Sequence, residues 1–404
     1  MKTVAIISEY NPFHNGHLYQ IQKIREELGE DTAIIAVMSG SFTQRGEAAI
    51  MDKGARAKAA VLEGVNLVLE LPFPYSMSSA EFFADAAVHI VDSIGCVDYL
   101  SFGSEEGSLD PLYNTAELMM SDEYRETLNG MMQDEKYKTY GYPELVELAI
   151  NAVRGERAIA LLTPNNILGI EYIKALMKRN SSVKPHTIAR IGNEYNEESI
   201  VSGIYQSASA IRKLLLLNNS SAYDYIPNTT KNIISREKES EEFPCDTARL
   251  SAAIISNLRL SSPEQSCRIH DAGGGLYNRL KDKSFETNDI NTLLSLCEAK
   301  SYTKARLRRT ILASLFGVTS SEVKSMPQYT QILAFDAIGQ LKLKHIRKQS
   351  RITVLTKPSD YEKLNDTALK QKLISDRADS IFELCKPNQP DGRRSLRYTP
   401  FVKK

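Results

Sequence analysis

The 404-residue sequence lacks the paired cysteines of a zinc knuckle or of a disulfide framework. Its five cysteines stand far apart, and they form no Cys-x-x-Cys pair: Cys96, Cys245, Cys267, Cys297 and Cys385. Because both kinds of site need cysteines at characteristic spacings, neither is indicated. We expect buried, reduced thiols.

Long apolar runs are also absent. No window approaches the roughly 20 apolar residues that a membrane helix requires, and residues 1–10 lack the basic-then-apolar plan of a signal peptide. With 42% apolar and 25% charged residues, the composition is typical of a globular protein of two or three domains. We therefore expect a cytoplasmic protein without membrane contact. The sequence shows no internal repeat.

The formal net charge is zero, but the charges are unevenly distributed along the chain. Residues 301–404 contain 21 Lys and Arg against 9 Asp and Glu, so residues 1–300 carry the matching acidic excess. A basic C-terminal region on an acidic body indicates a polyanionic partner at that end. A solvated basic helical surface is the alternative that charge alone leaves open.

The N-terminal part of the chain alternates between two kinds of segment. Short β-branched apolar runs predict buried strands at 4–10, 32–40, 65–73 and 97–105. Helical patterns lie between them, at 17–28, 52–63 and 79–94. This order predicts βαβ units and an α/β fold with a parallel, Rossmann-like sheet. Ligands bind such sheets beyond the carboxyl ends of the strands.

The remaining segments are mainly helical. Residues 110–179 have helical patterns interrupted at 140–144 and 163–166, and a further strand and helix are predicted at 182–191 and 207–216. Residues 228–244 are polar and lack core positions, which indicates a domain boundary. We predict an α/β catalytic domain at 1–225 and a mostly helical, basic domain at 226–404. Within the second we predict an amphipathic helix at 304–318 and a lone strand at 351–356.

Two histidines stand at the first predicted strand-to-helix turn, in EYNPFHNGHLYQI (9–21). A helix N-terminus attracts phosphate, because it presents unpaired N–H groups and a partial positive charge. His14 in the turn and His17 in the first helical turn can both face this space, and Gly16 permits a close backbone approach. Imidazole donors there can stabilise charge that builds during displacement at phosphorus.

Two other interpretations of the histidines stay open. One is a polar turn in which His17 merely caps the helix and His14 is solvated. The other is a zinc site, which is disfavoured because no Cys or carboxylate cluster lies nearby at ligand spacing.

The histidine motif and several later segments resemble a known family. His-x-Gly-His after the first strand resembles the signature of the nucleotidyltransferase superfamily, and the fuller wording resembles the bacterial tRNA(Met) cytidine acetate ligases. The segments that carry this resemblance are EYNPFHNGHLYQ (9–20), VMSGSFTQRGEAAI (37–50), LELPFPY (69–75), FGSE (102–105), PNNILGIEYI (164–173) and SASAIRK (207–213). The match is close over residues 1–220 and looser beyond, chiefly around 301–309.

The resemblance implies an ATP-dependent ligase with a nucleotidyltransferase-like domain at 1–225 and a tRNA-binding region at 226–404. Acetate would attack the α-phosphate of ATP, giving acetyl-adenylate and pyrophosphate. The acetyl group would then pass to N4 of the wobble cytidine of elongator tRNA(Met), forming N4-acetylcytidine. ATP is thus implied as a substrate, acetate and elongator tRNA(Met) as partners, and no resident metal, while Mg²⁺ beside ATP stays open.

Three alternatives belong to other classes. A small-molecule adenylyltransferase of the same superfamily would leave the basic helical region unexplained. A class I aminoacyl-tRNA synthetase is disfavoured because no Lys-Met-Ser-Lys-Ser-like loop is found. A tRNA-binding protein that has lost its chemistry is disfavoured by the intact His14, Gly16 and His17.

The resemblance also implies the site residues. His14, His17 and Arg212 would act in catalysis. The implied ATP site comprises Ile7, Ser8, Glu9, Tyr10, Asn11, Pro12, Phe13, His14, Asn15, Gly16, His17, Leu18, Tyr19, Gln20, Gly103, Asn165, Asn166, Arg190, Ile191 and Ser209. The residues that would contact tRNA phosphate are Lys304, Arg306, Arg308 and Arg309, with a solvated helix face as the alternative.

Two of these segments have further features. Residues 205–209 read YQSAS, where the superfamily's second motif usually reads Ile-Ser-Ser/Thr. Hydroxyls at a helix N-terminus, with Arg212 one turn later, can hold the β- and γ-phosphates, and an ordinary N-cap is the alternative. In SGSFTQRGEAA (39–49), Arg45 can attract acetate or tRNA phosphate, and a structural loop is the alternative.

Overall fold

The strands of the protein form one sheet in the computed structural model, which describes residues 1–154, 162–190, 205–299, 302–394 and 397–404. The strands are β1 Thr3–Ser8, β2 Ala33–Ser39, β3 Leu67–Leu71, β4 Tyr99–Ser104, β5 Lys184–Ala189, β6 Tyr329–Phe335, β7 Thr353–Leu355 and β8 Phe401–Val402. Their order is β5-β4-β1-β2-β3-β6-β7, and β8 pairs with β6.

The α-helices of the described residues all lie between β1 and β8 in the chain. They are α1 Asn15–Leu28, α2 Lys53–Leu62, α3 Ala80–Ser93, α4 Leu109–Met120, α5 Asp122–Gln133, α6 Tyr142–Arg154, α7 Pro164–Lys178, α8 Ala208–Leu216, α9 Asn228–Glu239, α10 Ser251–Leu260, α11 Pro263–Ser266, α12 Leu276–Ser284, α13 Ile290–Cys297, α14 Lys304–Phe316, α15 Ser320–Lys324, α16 Ala337–Gln349 and α17 Asp366–Phe382.

The predicted parallel sheet is confirmed. β1 pairs in parallel with β2 on one side and with β4 on the other, while β3 continues beyond β2 and β5 beyond β4. The strand order therefore reverses between β1 and β4. Loops that leave the carboxyl ends of strands on either side of such a point diverge, and they open a crevice for a ligand.

The C-terminal part of the chain differs from the prediction, because it adds strands to this sheet. β6 was not predicted, and it pairs antiparallel with β3. The segment 351–356 is not a lone strand, since β7 within it pairs with β6. The polar stretch 228–244 contains α9, whose Ile233 and Ile234 are buried. The division into domains at residue 226 stays a prediction.

Helices cover both faces of the sheet. Successive residues of a strand point to opposite faces, so each strand contributes side chains to two cores. On one face, Ile35 and Val37 pack with apolar side chains of α3 and α7. On the other face, Ile34 and Ala36 pack with side chains of α1, α2, α8 and α9. Strands buried on both faces explain the continuous apolar runs in the sequence.

The C-terminal helices form a separate core that includes the loop after β2. Phe316 of α14 packs against Phe42 and Phe73, with ring centroids 5.1 and 4.9 Å apart, and Phe382 of α17 packs against Phe42 at 6.0 Å. Phe42 thus anchors the loop after β2 in a core built largely from helices C-terminal to residue 245.

Among the described residues, no helix combines the length and the apolar character needed to cross a membrane. All five cysteines are free: three are buried, Cys96 is half-buried and Cys267 is exposed. The expectation of buried thiols therefore fails at Cys267, which follows the short helix α11 at the protein surface.

Candidate active site

The first turn of α1 is built around the two histidines. His14 is the N-cap residue, and its Nδ1 accepts the main-chain N–H of Gly16 at 3.0 Å. The main-chain N–H of His14 donates in turn to Nδ1 of His17 at 3.2 Å. The two rings stack with centroids 3.7 Å apart. The predicted placement of both rings at a strand-to-helix turn is confirmed, and the turn also uses both rings as caps.

Both histidine rings are neutral. Burial, reinforced by the nearby Arg190 and Arg212, lowers the pKa of His14 from 6.5 to about 3. Burial, with His14 and Arg190, lowers the pKa of His17 well below its ordinary value. Since each Nδ1 accepts a main-chain N–H, the one proton of each neutral ring lies on Nε2. Each ring therefore keeps an Nε2–H donor for a ligand.

A cavity lies above this helix N-terminus, between the carboxyl ends of β1 and β4. Of the residues predicted for ATP binding and catalysis, those that line it are Ile7, Ser8, Glu9, Tyr10, Asn11, His14, Gly16, His17, Tyr19, Gln20, Gly103, Asn165, Arg190, Ser209 and Arg212. They come from segments far apart in the sequence. The cavity thus brings the histidine motif together with the second motif.

Five predicted residues do not border the cavity. Pro12 and Phe13 are buried in the turn, Leu18 packs into the core under α1, and the Asn15 side chain donates to the main-chain oxygen of Asp224 at 3.3 Å. The fifth, Asn166, is buried behind the cavity wall. Ile191 lies outside the described residues.

Asn166 holds the turn that follows β4. Its Oδ1 accepts the main-chain N–H groups of Glu105 at 3.0 Å and Glu106 at 3.3 Å. The Glu105 carboxylate accepts the Thr163 hydroxyl at 2.8 Å and the Asn166 N–H at 3.1 Å, and it also accepts the side-chain amide of Asn165. These bonds tie the end of β4 to the start of α7. They orient Asn165, which lines the cavity.

We expect Asn166→Ala to destabilise the protein by about 1–2 kcal/mol, because it leaves two main-chain donors without their acceptor. Urea unfolding followed by circular dichroism measures this loss. The control is Asn291→Ala, which changes an exposed asparagine on α13. An equal effect of the two substitutions would contradict the role of Asn166 in the turn.

The second motif supplies Arg212, which reaches the turn before α1 from the middle of α8. Its guanidinium donates to the main-chain oxygen of Asn11 at 3.0 Å and to the Ser209 hydroxyl at 3.3 Å. Arg45 donates to the same hydroxyl at 3.2 Å. Ser207 is the N-cap of α8, with its hydroxyl accepting the N–H of Ala210. The described cavity wall therefore carries Arg45, Arg190 and Arg212, which suits an anionic ligand.

Other residues that line the cavity were not predicted as site residues. The apolar ones include Phe83, Phe102, Leu168, Tyr172 and Ile188. They lie in predicted helices and strands, where an apolar side chain is normally core, so the sequence carried no separate signal for them. Gln44 and Arg45 also line the cavity, in the loop where the sequence left a ligand and a structural role equally open.

The predicted tRNA-binding residues lie at the start of α14. Lys304 is exposed and pairs with Glu298 at 2.9 Å. Arg306 donates to main-chain oxygens of residues 271 and 273. Arg309 pairs with Asp271 at 3.0 Å, and Arg308 pairs with Glu47. All four thus make contacts within the chain, although Lys304 stays largely exposed. Their binding of tRNA stays a prediction.

The fold and the histidine site define a nucleotidyltransferase. The chain belongs to the HIGH nucleotidyl transferase family, which it matches over residues 1–395. It is 37% identical over 413 residues to the tRNA(Met) cytidine acetate ligase of Acetivibrio thermocellus, with 99% of each chain covered. It is 38% identical over 382 residues to the tRNA(Met) cytidine acetate ligase of Thermoanaerobacter sp. strain X514, which covers 92% of this chain and 93% of the relative.

Solved structures resemble the whole chain. The crystal structure of Thermotoga maritima TmcAL bound with alpha-thio ATP superposes with a TM-score of 0.91 at 31% identity, and it covers 100% of both chains. The apo structure of the same protein gives 0.92 at 32% identity, again with 100% of both chains covered. The resemblance inferred from the motifs is confirmed.

Proposed function

We propose that this chain is an ATP-dependent ligase that activates acetate as acetyl-adenylate and transfers the acetyl group to N4 of the wobble cytidine of elongator tRNA(Met). The observation that carries the proposal is the pair of neutral histidines capping α1, each with an Nε2–H donor left for a ligand. Full-length relatives named for this activity support the same conclusion.

ATP would lie across the crevice between β1 and β4, with its phosphates above the N-terminus of α1. Two neutral Nε2–H donors at the positive end of the helix dipole can bind phosphate oxygens there, but they carry no positive charge of their own. Arg212 supplies that charge from α8. On the other wall, a Cβ on Gly103 would lie 3.2 Å from Cγ of Arg190. Because it has no side chain, Gly103 lets Arg190 lie close against β4 on this wall of the cavity.

In the proposed first step, an acetate oxygen attacks the α-phosphorus of ATP, and the bond to the bridging oxygen of pyrophosphate breaks. His14, His17 and Arg212 would stabilise the charge on the phosphate oxygens. In the second step, N4 of the cytidine attacks the acetyl carbonyl carbon, AMP leaves, and N4 loses one proton. N4-acetylcytidine is the product.

The cavity wall supplies arginines and imidazoles to the phosphates. Among the described residues, no three His, Cys, Asp or Glu side chains come together as a metal site. Mg²⁺ is commonly held by substrate phosphates and water with few protein ligands. An Mg²⁺ ion bound to the ATP phosphates would need no such site. Loss of the first step when EDTA is added would show that the reaction requires the ion.

The test is incubation of the purified protein with ATP, labelled acetate and elongator tRNA(Met), followed by nucleoside analysis. We expect acetate-dependent release of pyrophosphate, labelled N4-acetylcytidine at the wobble position, and no reaction when ATP is omitted. Pyrophosphate release that needs a different small acceptor, with no labelled nucleoside, would instead identify a small-molecule adenylyltransferase. Labelling without ATP would contradict the adenylate mechanism.

A further inference from the structure

The hairpin at residues 43–47 lies between the cavity and α14. The main-chain N–H of Thr43 donates to the oxygen of Glu47, and that of Gly46 donates to the oxygen of Thr43, both at 2.9 Å. Gln44 and Arg45 line the cavity. Gly46 touches the main chain of α14, since a Cβ there would lie 2.6 Å from the nitrogen of Arg309. The hairpin therefore connects α14 directly to the cavity wall.

One carboxylate of this hairpin lies between two arginines from distant parts of the chain. Oε2 of Glu47 lies 3.5 Å from Nη2 of Arg212, and Oε1 forms an ion pair with Arg308 of α14. All three side chains are largely shielded: 24% of Glu47, 13% of Arg212 and 29% of Arg308 is exposed. Water therefore screens these charges less than it screens ordinary surface pairs.

The charge of Glu47 has two opposing effects on the nucleotide site. A carboxylate beside Arg212 helps to fix the guanidinium, but the same negative charge repels a triphosphate bound to that arginine. Arg308 neutralises the carboxylate from the opposite side, so that Glu47 can hold Arg212 with little net charge facing the phosphates. The oxygen of Asn11 and the hydroxyl of Ser209 complete the set of acceptors around Arg212.

We infer that Arg308 is a positioning residue of the nucleotide site, acting on bound ATP through Glu47 and Arg212. The inference rests on the proposed function, because it assigns the phosphates to Arg212. It differs from the sequence-based interpretation, in which Arg308 serves only tRNA. Under this inference α14 contributes to the first half-reaction, in which no tRNA takes part.

The experiment measures acetate-dependent ATP–pyrophosphate exchange without tRNA. We expect Arg308→Met to raise KM for ATP about tenfold, which corresponds to about 1.4 kcal/mol, because it leaves the Glu47 charge uncompensated beside the triphosphate. Adding Glu47→Gln to Arg308→Met should recover most of that loss, since the repelling charge is then removed. Arg308→Lys, which keeps the charge, should raise KM less than Arg308→Met.

The matched control is Arg125→Met, which removes an arginine paired with Asp122 at 3.1 Å on α5, outside the cavity wall. It should leave KM for ATP unchanged. A double variant as impaired as Arg308→Met would overturn the inference, because the rise in KM would then not come from the uncompensated charge of Glu47. An unaltered KM in Arg308→Met would overturn it as well. Should Arg308→Met fail to fold, Arg308→Gln takes its place in the same cycle.

Failure of the inference is distinguishable from failure of the proposed function. If the unaltered protein shows no acetate-dependent exchange, the proposed function is wrong. If it shows exchange, but the variants do not follow the rescue pattern, only the role of Arg308 is wrong.

Discussion

His17→Ala should reduce acetate-dependent ATP–pyrophosphate exchange by about 10²–10³-fold, the usual effect of removing one preorganised donor from a developing oxyanion. The loss should fall mainly on kcat, because a neutral donor binds charge more strongly in the transition state than in the ground state. The substitution also removes the acceptor of the His14 N–H. We therefore expect His14→Ala and the double variant to be little worse than His17→Ala alone.

The control for this prediction is His345→Ala, which removes an exposed histidine from α16, outside the cavity. It should leave the exchange rate unaltered. Binding of tRNA, measured by filter retention, should be retained by His17→Ala if the two rings serve only the phosphates. A variant that folds and keeps most of its exchange activity would show that the rings cap the helix and do no more.

The pKa values of the two rings predict how stability depends on pH. In the unfolded chain each ring titrates near 6.5, whereas the folded His14 has a pKa of about 3 and that of His17 is also depressed. Between these values the unfolded chain binds more protons, so stability rises with pH and is lost as the pH falls below about 6.5. Thermal unfolding from pH 7 to pH 4 should show this slope, and His17→Ala should flatten it.

The sequence was informative where local pattern decides structure. Alternating apolar runs and helical patterns predicted β1 to β5 and the first three helices, and the histidine spacing predicted both rings at one helix N-terminus. The second motif was located by its resemblance, and Arg212 does lie against the turn before α1, where its guanidinium donates to the oxygen of Asn11. These features depend on residues a few positions apart, or on a motif that is continuous in the chain.

The sequence was uninformative where partners are far apart in the chain. β6 lies in a region that is otherwise mainly helical. Its place beside β3 depends on pairing across more than 250 residues, as in the bond of the Thr330 hydroxyl to the oxygen of Glu70. The contact between Glu47 and Arg308 is of the same kind. Charged residues such as these usually lie on the surface, so their charge alone did not predict that they would be shielded and paired.

A buried ion cluster beneath the loop after β2 also joins residues that are far apart in the chain. Lys53, at the start of α2, is only 3% exposed. Its ammonium donates to both oxygens of Glu70 at 2.8 and 3.0 Å and to Asp379 of α17 at 2.6 Å. The other oxygen of Asp379 accepts the Ser41 hydroxyl at 2.5 Å. One cation thus connects α2, β3 and the C-terminal helix below the loop that leads to the cavity.

Lys53→Met should destabilise the protein by about 3–5 kcal/mol, because it leaves two buried carboxylates without their shared cation. Met fills much of the same volume, so the loss reports charge more than packing. The control is Lys283→Met, which breaks an exposed pair with Glu286 at 2.7 Å and should cost at most about 1 kcal/mol. Urea unfolding monitored by circular dichroism gives both values.

The pH dependence of this loss separates an electrostatic cause from a packing defect. Burial already raises the pKa of Glu70, although Lys53 opposes the shift. Without Lys53 the pKa of Glu70 should rise further. The folded protein is then most stable when this buried carboxyl group is protonated. The variant should therefore be nearly as stable as the unaltered protein below about pH 4.3, the ordinary value for glutamate, and it should lose stability as the pH rises through the raised pKa. Adding Glu70→Gln should restore part of the stability at pH 7. A loss that is the same at pH 4 and pH 8, and that Glu70→Gln does not relieve, would mean that Lys53 acts through packing alone.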